Sequence, residues 1–306
     1  MITITKRYST QPKRLSILFL SIILSFSFIS SAFAGCRSFS GDGAARNAYA
    51  DKLAKKKHFE KGLIKTKDFT LTTYHKPFNA EVSNTSHSGY KAETLTVYIE
   101  GDGRSWERRD KISGNPTPYQ PLALKLALLD QNEKVAYLAR PCQYTCLDNE
   151  KSCGPDIWTF QRFSDKVIAN MNEAVSKLKQ ESGAKKINLV GFSGGAAVVV
   201  LVAARRNDVT SIKTVAGDLD HEMMTEFHQT SPMTESLNPK RFVKKVAHIK
   251  QWHYIGKEDP VVPSFISKSF VDEISKTHPN TATQMIFPKV SHHEGWEKLW
   301  PELAKQ

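Results

Sequence analysis

An α/β fold, with a mostly parallel central sheet covered by helices on both faces, is what this sequence predicts, on three observations. Short runs rich in branched aliphatic residues alternate along the chain with longer segments of helical period, the pattern of strand and helix units wound into one sheet. Several of these runs are continuously apolar, as strands buried on both faces are. The stretch 186–205, KINLVGFSGGAAVVVLVAAR, joins one such run to an apolar helix through a glycine-rich turn.

Residues 1–34 read as a secretory signal peptide. Lys6, Arg7, Lys13 and Arg14 precede an apolar run at 15–29, and Ala32-Phe33-Ala34 supplies the small-x-small cleavage pattern. The following Gly35-Cys36 makes 33–36 similar to a bacterial lipobox, so Cys36 is a candidate for lipidation and for attachment to a membrane surface. The expected locations are the periplasm, the outer membrane as an anchored lipoprotein, or the medium. Residues 35–68 form an N-terminal extension, with a lysine- and alanine-rich helix expected over 41–63, and residues 69–306 form the main domain. Within it, 69–74 alternates like an edge strand and 79–92 is a polar loop. Residues 95–99 read as a central strand, broken sharply by Glu100-Gly101-Asp102-Gly103. A Pro-rich loop at 104–118 leads to a helix at 122–129 and a strand at 134–139. From Ser164 a long helix carries Val167, Ile168, Met171, Val175 and Leu178 on one face. After the stretch at 186–205 come strands at 212–216, 247–255 and 283–287, with helices at 265–274 and 296–304.

The 306 residues are 40% hydrophobic and 24% charged, enough for one sizeable core. Of the net charge of +12, four charges lie in the first 34 residues, leaving 39 basic against 31 acidic residues. Apart from 52–57 the excess is dispersed. No basic stripe interleaved with aromatics appears, so nucleic acid is not an expected partner, whereas an anionic membrane surface is compatible. Cys142, Cys146 and Cys153 cluster in one loop. In an oxidising compartment Cys142 and Cys153 close it, with Cys146 free or paired to Cys36. The spacing lacks a second pair of zinc ligands.

The chemistry is concentrated after the strand at 187–190. Gly191-x-Ser193-x-Gly195 between a strand and a helix fits a nucleophile elbow, in which flanking glycines admit a turn too tight for side chains and the helix N-terminus offers N–H groups to an oxyanion. The turn lacks the Gly-x4-Gly-Lys-Ser/Thr spacing of a phosphate loop and the Gly-x-Gly-x-x-Gly of a dinucleotide site. GFSGG is similar to the GDSGG of chymotrypsin-like proteases, which are all-β chains. A serine hydroxyl needs a base, and the base an orienting carboxylate. Asp259 follows the strand ending at 255, and His292 and His293 follow the strand ending at 287. From the residues alone either histidine would serve, and Glu258, Asp218 and Asp220 are rival acids.

The order Ser, Asp, His resembles that of the α/β-hydrolases over 69–306. The phrases Tyr98-Ile-Glu-Gly-Asp-Gly, Arg140-Pro-Cys-Gln and a His-x3-Trp ending at Trp296 resemble exported bacterial hydrolases, often lipoproteins. The resemblance implies Ser193 as nucleophile, His292 as general base and acid, and Asp259 as its orienter. It also implies an oxyanion hole from the backbone of Gly194 and of Asp102. Two carboxylates, Glu100 and Asp102, beside a developing oxyanion would be repulsive unless turned away or paired, for instance with Arg104 or Arg140. Phe160, Phe163, Leu237, Phe242 and Trp252 are candidates for an acyl pocket, with core packing as the ordinary alternative. The expectation is an exported serine hydrolase of carboxylic esters, acting on small-molecule or lipid substrates without metal or cofactor. The same residues would serve an amidase, peptidase or thioesterase. The alternative is a non-catalytic envelope protein that binds a ligand on this scaffold.

Overall fold

The computed structural model describes residues 42–78 and 93–306. The signal peptide expected at 1–34, Cys36 and the loop expected at 79–92 lie outside the described residues. The chain runs α1 (Asp42–Lys56), β1 (Glu60–Lys65), β2 (Thr70–His75), β3 (Thr94–Ile99), β4 (Trp106–Arg108), β5 (Lys111–Ile112), α2 (Leu122–Ala127), β6 (Val135–Leu138), α3 (Pro155–Trp158) and α4 (Asp165–Ser182). It continues through β7 (Lys186–Phe192), α5 (Gly194–Ala203), β8 (Val209–Val215), α6 (His221–Phe227), α7 (Val243–Val246), β9 (Lys250–Gly256), α8 (Ser264–Ser275), β10 (Ala282–Phe287) and α9 (Trp296–Leu303).

Eight strands form one sheet in the order β1-β2-β6-β3-β7-β8-β9-β10. From β6 to β10 every neighbouring pair is parallel. The β1–β2 and β2–β6 pairs are antiparallel. Alternation along the strands sends side chains to two separate cores. Leu95, Val97 and Ile99 of β3 join Ile187 and Leu189 of β7 beneath α4, α5 and α8. Tyr98 of β3 joins Tyr137 and Tyr254 beneath α1, α2 and α9, where Trp296 and Trp300 are fully buried. Helices therefore cover both faces, as expected.

Helix α4 shows why the local sequence folds as it does. Ser164 caps it by accepting from Val167 N at 3.3 Å, and Gly183 ends it in the left-handed region at φ 65°, the two terminal signals of a stable helix. Its apolar stripe packs into the first core. Helix α5 is buried at all ten positions, so its uniformly apolar sequence is explained by a central place against the sheet.

Three expectations are corrected. The sheet begins at Glu60, not 69: β1 pairs with β2 along its whole length, so Thr70–His75 is flanked on both sides and the edge strand is β1. The expected 41–63 helix stops at Lys56. The 104–118 loop contains the β4–β5 hairpin. Cys142 and Cys153 are disulfide-bonded with Cα atoms 5.7 Å apart, and Cys146 is disulfide-bonded as well.

Candidate active site

The turn from β7 into α5 holds Ser193 at φ 51° and ψ −121°. A non-glycine residue there is strained and persists only if its surroundings over-determine it. They do: Ser193 N donates to Val215 O at 2.9 Å, and Ser193 O accepts from Ala196 N and Asp218 N at 3.0 and 3.1 Å. The flanking glycines are required by space. A Cβ on Gly191 would lie 2.4 Å from Gly195 O, and one on Gly195 would lie 2.3 Å from Ile99 O.

Three side chains from three strand ends meet at this turn. His292 Nε2 lies 3.1 Å from Ser193 Oγ, and His292 Nδ1 lies 2.8 Å from Asp259 Oδ2. A carboxylate only accepts, so Nδ1 carries the proton and Nε2 is free to accept the serine hydroxyl. Asp259 is itself fixed: its Oδ1 accepts from Val261 N and Val262 N at 2.8 and 2.9 Å. The His-x3-Trp spacing has a physical role, since Trp296 Nε1 donates to His292 O at 3.2 Å and to Ser291 O at 3.0 Å. His293 is exposed and packs edge-on to His292.

The rival acids are elsewhere. Glu258 is exposed, and Asp220 caps α6 by accepting from Met223 N while also accepting from Asn238 Nδ2. Asp218 is buried behind Ser193, its backbone N–H on Ser193 O, and burial pushes its carboxyl up to about 7.

The Glu100-Gly-Asp-Gly loop and the Arg140-Pro-Cys-Gln segment interlock. Gln143 Nε2 donates to Gly101 O at 3.0 Å, and Arg140 Nη1 donates to Asp102 Oδ1 at 3.2 Å. Asp102 Oδ2 also lies 2.9 Å from Arg162 Nε, an ion pair without the alignment of a hydrogen bond. Arg140 Nη2 donates to the Arg162 carbonyl, so the two arginines clamp one carboxylate. That carboxylate stands over Gly194, where a Cβ would meet Asp102 Oδ1 at 2.0 Å. The N–H groups of Gly194 and Asp102 have no acceptor among the described residues. Glu100 Oε1 accepts from Gly101 N and Ala123 N. Its burial, only partly offset by these bonds, pushes its carboxyl up to about 7, so much of its charge is absent near neutral pH.

Sequence reasoning paired Asp102 with Arg104 or Arg140. Arg140 is found there. Arg104 instead donates to Tyr119 Oη at 2.7 Å, and Arg162 was missed. A cleft of about 820 Å³ opens over Ser193 and His292, walled by Trp106, Tyr119, Phe160, Arg162, Met224 and Val261. Of the five aromatic and aliphatic candidates for an acyl pocket, Phe160 lines this cleft. Phe163 is buried in the first core, which Leu237 and Phe242 flank, and Trp252 packs against the second.

Comparison with known proteins places this architecture. No family model matches the sequence, and no curated protein matches it. Solved structures do. An esterase of Pyrococcus furiosus, Pf2001, superposes with a TM-score of 0.53 at 14% identity, covering 83% of this chain and 91% of that one. Est1E from Butyrivibrio proteoclasticus gives 0.51 at 17% identity over 80% and 96%. A puromycin-hydrolyzing peptidase of Mycobacterium tuberculosis gives 0.54 at 13% identity over 81% of this chain and 38% of that one. The fold is that of the α/β hydrolases.

Proposed function

We propose that this chain is an exported serine hydrolase that cleaves carboxylic esters through an acyl-enzyme. The observation that carries the reading is the hydrogen-bonded line from Asp259 through His292 to Ser193, set beside two backbone donors without acceptors. Ser193 Oγ attacks the ester carbonyl carbon as its proton passes to His292 Nε2. The imidazolium is stabilised by Asp259, and the oxyanion is held by Gly194 N–H and Asp102 N–H. Collapse breaks the bond to the alkoxide, which leaves with the proton from His292. Water then gives its proton to His292 and attacks the acyl carbon. The second collapse frees the acid and returns the proton to Ser193.

The clamp on Asp102 supports the catalytic reading over a ligand-binding scaffold, because it removes the objection of a bare carboxylate beside the oxyanion. The mostly apolar wall of the cleft suits an acyl chain, and its size is that of a small-molecule site. Export is supported by the pattern of residues 1–34 and by the Cys142–Cys153 bridge, which persists in oxidising compartments. N-terminal sequencing of protein secreted from cells checks this, with Gly35 as the expected first residue. The function is tested by hydrolysis of 4-nitrophenyl esters of short and long acyl chains, with an amide analogue alongside. Turnover of the ester that is lost in Ser193→Ala and His292→Gln supports the reading, and equal turnover by the variants refutes it.

A further inference from the structure

Among the described residues eight large hydrophobic side chains are exposed; three of them, Trp106, Tyr119 and Val261, line the cleft, and two more, Phe227 and Phe265, adjoin it through the lining residue His228. The contacts that join them make one surface. The rings of Phe227 and Phe265 pack edge to face with centroids 5.4 Å apart. His228, next to Phe227, lies with Nε2 2.7 Å from Val261 O. Arg109, from the tip of the β4–β5 hairpin, donates to the carbonyls of His228 and Gln229. Trp106 of the same hairpin packs edge-on to Phe160 at 6.0 Å. Phe227 is 50% exposed and Phe265 and Val261 are 41% exposed, which is costly for a ring pair unless something apolar covers it.

A second observation concerns where the chain enters. Tyr119 Oη donates to Asp42 Oδ2 at 2.9 Å, and Asp42 is the first described residue. Cys36, the candidate for lipidation, therefore lies a short stretch of chain ahead of Asp42, whose partner Tyr119 lines the cleft. Five residues lie between Cys36 and Asp42, a reach of at most about 20 Å.

We infer that the rim of this cleft is a lipid-docking surface. Trp106, at the base of the hairpin, and the Phe227–Phe265 pair seat in the headgroup region of a phospholipid bilayer and turn the mouth of the cleft toward it. Arg108 is placed to reach lipid phosphates from the hairpin, where it pairs with Asp110 at 3.7 Å while Lys111 pairs with Glu107 at 2.6 Å. The surface is independent of the Ser193 chemistry, so binding is measurable in Ser193→Ala and fails or succeeds separately from the esterase reading.

The test uses the full chain with Ser193→Ala and vesicles of phosphatidylethanolamine and phosphatidylglycerol containing brominated lipid. The readout is the part of tryptophan quenching that disappears in Trp106→Phe, because quenching at that position requires this rim to enter the lipid whatever else holds the chain there. The expected result is Trp106-dependent quenching that needs roughly 10-fold more lipid in Phe227→Ser/Phe265→Ser, as for removal of two half-exposed rings. The double variant in the Ser193-containing chain should hydrolyse a soluble ester at the ordinary rate, showing that it folds. Quenching equal in Trp106→Phe, or unchanged by the double substitution, overturns the inference. So does a protein dimer in light scattering that the double substitution dissolves without any Trp106 quenching.

Discussion

Replacing Arg162 by Gln tests how the proposed oxyanion site tolerates Asp102. The carboxylate lies over Gly194, with Oδ1 2.0 Å from the position of a Cβ there. An oxyanion on Gly194 N–H is then about 5 Å away. At an effective dielectric of about 20, an unpaired charge at that distance costs about 3 kcal/mol of transition-state stabilisation. Arg140 remains in the variant, hydrogen-bonded to Oδ1 at 3.2 Å, so about half of this is expected, a fall of roughly 10- to 30-fold in kcat. KM should change little, because the effect belongs to charge that develops only in the transition state. The assay is steady-state hydrolysis of a short-chain nitrophenyl ester by Arg162→Gln, Asp102→Asn and the double variant. Asp102→Asn removes the repulsion, so the double variant should recover most of the rate lost in Arg162→Gln. A double variant as slow as Arg162→Gln, or an effect confined to KM, would refute a positioning role and make Arg162 a substrate contact.

Three further outcomes follow from named contacts. Asp259→Asn keeps an oxygen for Val261 N and Val262 N and so turns its NH2 toward His292 Nδ1. That favours the wrong tautomer, and kcat should fall about 10,000-fold with little change in melting temperature. Glu100 is raised from 4.5 to about 7 by burial, so the folded state binds its proton more tightly than the unfolded chain. Stability from this group is full below pH about 4.5 and is lost as pH rises to about 7. Glu100→Gln should therefore gain roughly 2–3 kcal/mol over wild type at pH 8 relative to pH 4, read from guanidinium unfolding at both values. Cys142→Ser/Cys153→Ser opens a loop of sequence separation 11, and the same unfolding measurement should show a loss of about 3 kcal/mol under oxidising conditions.

The parts legible in the sequence are those written in local pattern. The 186–205 stretch could be read because an apolar strand, a Gly-x-Ser-x-Gly turn and an apolar helix each carry their own signal. Asp259 and His292 could be placed because they follow strand-like runs in chain order. Strand β1 was misread because EKGLIK has one buried side chain, Ile64; its membership of the sheet comes from pairing with β2, which local polarity does not encode. The β4–β5 hairpin, of three and two residues, is too short to show a period. Arg162 was invisible for a different reason. It lies 60 residues from Asp102 in a polar stretch, and only the interlocking of its loop with Arg140 and the 142–153 bridge carries it to that carboxylate. The one available signal was the demand itself, since two acidic residues beside an oxyanion require cations from somewhere.

The central claim is that Ser193 is a nucleophile made reactive by His292. Its most direct measurement is labelling by a fluorophosphonate, with the modified peptide identified by mass spectrometry. The account predicts one adduct, on Ser193, formed rapidly in wild type, absent in Ser193→Ala and slowed by orders of magnitude in His292→Gln. Folded wild-type protein that takes up no label, or labels at the same rate without His292, would contradict it.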